Sequence, residues 1–156
     1  MILDERNEFA DAASVAAAAG TALIGDVIDV GDIGADIGLS SDLYFVITVD
    51  TEIVTGGTAG TIKFQLVSDA QAAIAVDGSA TVHLSTGDLV TDDSAANSNL
   101  LNAGARLFAG KLPSGSYERY LGVICTIGTT TVTAGKINAF LTPTLGPSRV
   151  YPEGAN

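Results

Sequence analysis

The chain has 156 residues, 47% hydrophobic and 16% charged, with 18 acidic against 7 basic side chains and a formal net charge of −11. That length makes one domain, which buries roughly two-thirds of its unfolded surface and so needs no disulfide or structural metal to fold. One His and one Cys supply neither an internal disulfide nor a His₃, His₂Cys₂ or multi-cysteine metal centre, and the strong negative charge disfavours phosphate backbones and anionic lipid as partners.

The charge is concentrated at the front. Residues 1–52 hold eleven acids (Asp4, Glu5, Glu8, Asp11, Asp26, Asp29, Asp32, Asp36, Asp42, Asp50, Glu52) and one base, Arg6, a sum of −10, which leaves the remaining residues at −1. The opening MILDERNEFADA lacks the basic and apolar regions of a secretory signal, and no run reaches the ~20 apolar residues of a membrane span, so synthesis in a cytoplasm is expected.

In chain order, Asp11–Ala19 (DAASVAAAA) alone has helix features: an acidic cap, an Ala-rich interior and Gly20 as a stop. Nine residues are marginal for a helix, and the weight falls against one. Val27, Ile28 and Val30 follow as a strand. Period-two alternation then recurs. In Leu43–Asp50 the inward set is Leu43, Phe45, Ile47 and Val49; next come Ile62, Phe64 and Leu66, then Val82 and Leu84 around His83. Arg106–Leu112 forms a further strand, Tyr120–Gly128 points Leu121, Val123, Cys125 and Ile127 inward, and Lys136–Thr142 does the same with Ile137, Ala139 and Leu141. Glycine-, proline- and Asp-rich turns separate the strands at 56–60, Asp77-Gly78, Thr86–Asp88, Leu112–Ser116 and Gly128–Thr130. Seven or eight strands without intervening helices predict an all-β antiparallel jelly roll or β-sandwich.

Sites of known chemistry are weakly supported. Gly104–Lys111 (GARLFAGK) has five residues between its glycines where a Walker loop has four, and Leu112 stands where a hydroxyl should bind magnesium. Gly31, Gly34 and Gly38 miss the G-x-G-x-x-G spacing. The acids of Asp26–Asp42 lack the spacing of an EF-hand loop, so the stretch reads as solvated. His83 falls on the polar face of its strand and reads as an exposed surface His. Cys125 falls on the apolar face and reads as a buried small hydrophobe. Adjacent Asp92 and Asp93 lie in a polar loop, ill placed to converge on one glycosidic bond, and no serine sits in a G-x-S-x-G elbow. No cofactor, metal or enzyme activity is expected.

Three stretches, Met1–Gly31 (MILDERNEFADAASVAAAAGTALIGDVIDVG), Leu43–Lys63 (LYFVITVDTEIVTGGTAGTIK) and Leu112–Leu141 (LPSGSYERYLGVICTIGTTTVTAGKINAFL), together resemble the capsid cement (decoration) proteins of tailed phages, of the Bordetella short-tailed phage type. The likeness lies in the Met-Ile-Leu-Asp start, the Ala-rich arm and V-I-D-V-G, and then in L-P-x-G, E-R-Y-L and T-A-G-K followed by A-F-L. It implies a jelly roll that binds the outside of an HK97-like major capsid shell in the virion, as a homodimer or homotrimer that reinforces capsomer junctions. Under that resemblance the chain divides into an N-terminal arm (1–20), a jelly-roll domain (21–142) and a C-terminal tail (143–156). Met1, Ile2, Leu3, Phe9 and Val15 in the arm, with Arg149 and Tyr151 in the tail, are the expected contacts with capsid or sister subunits. A carbohydrate-binding jelly-roll module shares the fold, but zero Trp and 6% aromatic residues count against it.

Overall fold

A computed structural model describes residues 5–31, 36–39, 42–55, 60–91 and 100–145. After a 3-10 turn at Glu5–Asn7, the strands are β1 (Glu8–Ser14), β2 (Gly20–Asp29), β3 (Tyr44–Thr55), β4 (Thr61–Asp69), β5 (Thr81–Ser85), β6 (Leu89–Val90), β7 (Arg106–Lys111), β8 (Tyr120–Gly128) and β9 (Val132–Thr142). Among the described residues there is no α-helix. All pairings are antiparallel, in two sheets ordered β1-β9-β3-β7 and β2-β8-β4-β5, with β6 also on β4.

The pairing is nested. β1 pairs with β9, β2 with β8, β3 with β7 and β4 with β5, so the chain runs out and returns along itself before the two layers close. This is the connectivity of a jelly roll. β5 and β6 lie end to end on one side of β4, where Thr86 bridges the gap: its N–H donates to the Phe64 carbonyl (3.0 Å), and its hydroxyl accepts the Phe64 N–H (3.1 Å). Nine strands thus occupy eight positions, in keeping with the seven or eight expected.

Alternation sorts the core as the sequence predicts. Phe45, Ile47 and Val49 meet Ile62, Phe64 and Leu66, with Leu121, Val123, Cys125 and Ile127, and with Ile137, Ala139 and Leu141, in one buried cluster. On the outer face of the second sheet a small cluster forms from Val67, Ile124 and Ile74. Asp69 builds the loop that delivers Ile74, because its carboxylate accepts the N–H groups of Gln71 (3.0 Å) and Ala75 (2.9 Å). The absence of a side chain at Gly122 makes room for Ile74; a Cβ there would lie 2.5 Å from Ile74 Cδ1.

The structure bears out the weight against a helix at Asp11–Ala19 and corrects two other expectations, the N-terminal arm with its contact residues Phe9 and Val15 and the inward Val82. Asp11–Ala19 is extended: Asp11–Ser14 complete β1, Ala17 bridges Val132, and Ala12 adopts φ 47° in a bulge where its N–H donates to the Asn138 side chain at 2.6 Å. Residues 8–14 are therefore an edge strand of the first sheet and no free arm. Phe9 and Val15 both enter the core at 1% exposure, on either side of two irregularities in the β1–β9 register. Finally, Val82 was expected inward and is 50% exposed. The β4–β5 register slips between Leu66↔Leu84 and Val67↔Val82, so His83 is the extra residue of a β-bulge and the alternation reverses there.

Candidate functional site

The most concentrated polar chemistry lies where β4, β5 and the β7–β8 arch meet. Ser68 continues the inward parity of Ile62, Phe64 and Leu66 and is fully buried. The bulge swings His83 to the same side, and its Nε2 lies 2.8 Å from Ser68 Oγ. The arch contributes Tyr117 and Glu118. Glu118 N–H donates to Ser68 Oγ (3.2 Å), and Ser68 Oγ donates to Glu118 Oε2 (3.3 Å). The Tyr117 ring stacks on the imidazole with centroids 4.0 Å apart, and its hydroxyl donates to the Pro113 carbonyl at 2.6 Å. That bond, from a Tyr to backbone four residues upstream where the chain crosses between sheets, is a tyrosine corner in geometry.

One proton assignment satisfies all three contacts around Ser68. A hydroxyl donates once and accepts twice, so Ser68 donates to Glu118 while accepting from Glu118 N–H and from His83 Nε2–H. In the neutral ring Nδ1 is then the unprotonated nitrogen, and it has no hydrogen-bond partner among the described residues. Burial holds the imidazole below its ordinary 6.5, and the Glu118 carboxylate opposes that shift. Tyr117 is pushed up to about 12, chiefly by burial, with a smaller contribution from Asp36. His83, expected on an exposed polar face, is thus half-buried and bonded.

This arrangement differs from a nucleophile relay. There the imidazole lies between hydroxyl and acid, so that the acid orients the base; here the hydroxyl lies between imidazole and acid, and Ser68 is closed to solvent. The cluster braces the corner. Cys125 is equally withdrawn: burial pushes its thiol up to about 12, far from the thiolate that nucleophilic chemistry needs. It borders a cavity of ≈ 120 Å³ walled mostly by Val15, Ala17, Ala18, Ala22, Ile24 and Ile127. Among the described residues no group of three or more His, Cys, Asp or Glu side chains gathers as a metal site.

The expected contact residues divide. Phe9 and Val15 are core residues of their own chain, which withdraws them from any surface contact in this conformation. Met1, Ile2, Leu3, Arg149 and Tyr151 lie outside the described residues, as do Asp92 and Asp93. Of the acids in the first third, Asp11, Asp26, Asp29, Asp42, Asp50 and Glu52 are exposed. Two are paired: Asp29 takes a two-pronged contact from Arg119 (3.0 and 2.9 Å), which lowers its pKa together with the Gly31 N–H, and Asp42 meets Lys111 at 2.7 Å. The outer face of the second sheet carries a groove of ≈ 270 Å³ between the 75–80 loop and β4, with Lys63, Gln65, Val67 and the exposed Val76 and Val82 along it.

The sequence signal for Ser68 was its parity with the apolar residues of β4. Tyr117 carried no signal of its own, and Glu118, which opens the E-R-Y-L motif, carried none for this cluster, because both reach it only through the arch.

Fold and site together define an antiparallel jelly-roll protein whose principal polar cluster ties the β7–β8 arch to the second sheet. The Bbp16 family model matches residues 9–141, from the second residue of β1 to the penultimate residue of β9, and the chain belongs to the Bbp16 family. No curated protein sequence matches it.

Proposed function

We propose that this protein is a capsid cement protein of a tailed phage, which binds the outer surface of an HK97-like major capsid shell as a homo-oligomer and stabilises capsomer junctions in the virion. The observation that carries this reading is membership of the Bbp16 family across the entire sandwich; the family's name suggests a Bordetella phage protein, in keeping with the motifs of Met1–Gly31, Leu43–Lys63 and Leu112–Leu141. The fold suits the task. A cement protein needs a rigid scaffold with reachable edges rather than reactive groups, and β1, β2, β7 and the β5–β6 line are the four sheet edges here, where an added strand gains main-chain hydrogen bonds. Several weak contacts per oligomer raise occupancy through effective concentration.

With Phe9 and Val15 inside the core, the proposed reaching segments contract to the residues before β1 and those after β9. The exposed acids of the first third supply the complement for basic patches on a shell, and affinity then falls as ionic strength rises. The test mixes purified protein with undecorated expanded capsids and measures binding stoichiometry and shell rupture temperature. Saturable binding with a raised rupture temperature is expected; no binding at micromolar concentration rejects the assignment.

A further inference from the structure

We propose that the free edge of β2 is a self-association surface, where Gly20–Ile24 pairs antiparallel with the same residues of a second copy and joins the two second sheets into one. The pairing rests on the homo-oligomer of the cement reading and on no other part of it.

An exposed sheet edge invites another chain unless charge, shortness or a bulge blunts it. Three of the four edges here are blunted. β1 carries Glu8 and Asp11 and two register irregularities, and β7 carries Arg106 and Lys111 at its ends. β5 and β6 are only five and two residues long, and β5 is bulged. The first half of β2 has none of these devices. Gly20–Ile24 pairs with Ile127–Val123 in unbroken register, and the irregularity comes only after Ile24. From Ala12 to Gly25 the chain has no charged residue and no proline, inside a front third that otherwise carries the protein's acidity. β8 pairs one side of this segment, and among the described residues no strand pairs the other. Gly20, Thr21 and Ala22 are exposed.

A second copy fits this edge. At a net charge of −11 two copies repel through most of their surface, so contact is easiest where charge is absent. A register centred on Ala22 sets Ala22 against itself, Thr21 against the partner's Leu23 and Gly20 against the partner's Ile24. Asp26 then falls opposite Ala18 and Asp29 opposite Val15, so no acid faces an acid, an arrangement that like charges directly opposite would destabilise. Packing agrees with that register. Gly20, Ala22 and Ile24 pair with the inward-facing Ile127, Cys125 and Val123 and therefore share the inner face. The small Gly20 and Ala22 border the apolar cavity of ≈ 120 Å³ that reaches Val15, Cys125 and Ile127. A two-fold axis perpendicular to the sheet keeps both inner faces on one side, so the partner's Ile24 comes beside Gly20 at the cavity, and Ile24 does the same in return, as an isologous contact requires.

The experiment uses the free full-length protein. Sedimentation velocity from micromolar to sub-millimolar concentration is expected to show a monomer–dimer equilibrium. Hydrogen exchange should show protection at Gly20–Ile24 that rises several-fold from the dilute to the concentrated sample, while Arg106–Lys111 on the β7 edge stays unchanged. Ala22→Asp and Ala22→Lys each set like charges opposite one another across the two-fold and should weaken the dimer more than tenfold. An equimolar mixture of the two should restore it, because Asp then faces Lys. Ala109→Asp places the same charge on the β7 edge and should leave the equilibrium as it was. A monomer at every concentration, a trimer, a dimer indifferent to both Ala22 substitutions, or a mixture no tighter than its components overturns the pairing. The parent protein's exchange pattern decides the question where a variant fails to fold. A monomer that still binds capsids overturns the β2 pairing and leaves the cement reading in place, whereas a β2-paired dimer that binds none does the reverse.

Discussion

Replacing Phe9 by Ala decides whether the front of the chain is a strand of the sandwich or an arm that reaches a neighbour. Phe9 is 1% exposed in the main core cluster and meets Phe45 edge-on, with centroids 5.9 Å apart at 82°. Truncating a buried Phe to Ala costs about 3–5 kcal/mol, of which the edge-to-face pair accounts for about 0.5–1.5 kcal/mol. Domain stabilities are about 5–15 kcal/mol, so Phe9→Ala removes a large fraction of the total yet leaves a folded population to measure. A loss of about 4 kcal/mol lowers Tm by roughly 8–16 °C in a chain of this size, or moves the urea midpoint by about 2 M for an m value near 2 kcal/mol/M. Far-UV circular dichroism reads both, and a double-mutant cycle with Phe45→Ala reads the ring–ring share. An exposed arm residue would change stability by no more than about 0.5 kcal/mol. A Tm within about 2 °C of the parent, or zero coupling to Phe45, would refute the core placement and restore Phe9 as a contact residue.

Three further outcomes are expected. Gly25→Ala should destabilise by more than about 2 kcal/mol, because φ is +69° and the new Cβ would overlap the Phe9 carbonyl; Gly31→Ala, at φ +90° with open space around it, should lose only the backbone strain of about 1–2 kcal/mol, and equal losses would contradict the close β1–β2 approach. Tyr117→Phe keeps the stack on His83 but leaves the Pro113 carbonyl without its hydroxyl partner, an expected loss of about 1–2 kcal/mol in urea unfolding; an unchanged midpoint would show that this bond does not brace the corner. Cys125 should resist a thiol-specific disulfide reagent at pH 8 until denaturant is added, whereas native labelling at the rate of a free thiol would contradict its burial.

Sequence alone determined the class of fold and most of its interior. Period-two alternation commits one face of a strand to the core whatever its partner, so Phe45, Ile47 and Val49, the odd residues of Leu121–Ile127 and the set Ile137, Ala139 and Leu141 could be assigned inward before their neighbours were known. The burial of Cys125 followed from the same rule. What tertiary structure decided is whatever depends on a distant partner. The Ala-rich front of the chain has little preference of its own, and it becomes a strand because β9, more than a hundred residues away, offers a ladder and the core offers space for Phe9 and Val15. His83 left the exposed face assigned by alternation because one extra residue in β5 reverses parity, and a bulge is a property of two strands in register rather than of either alone. Ser68, His83, Tyr117 and Glu118 come from three separate segments: the β5 bulge turns His83 to Ser68, and the crossing of the β7–β8 arch over the end of β4 adds Glu118 to the hydrogen bonds and the Tyr117 ring to the stack.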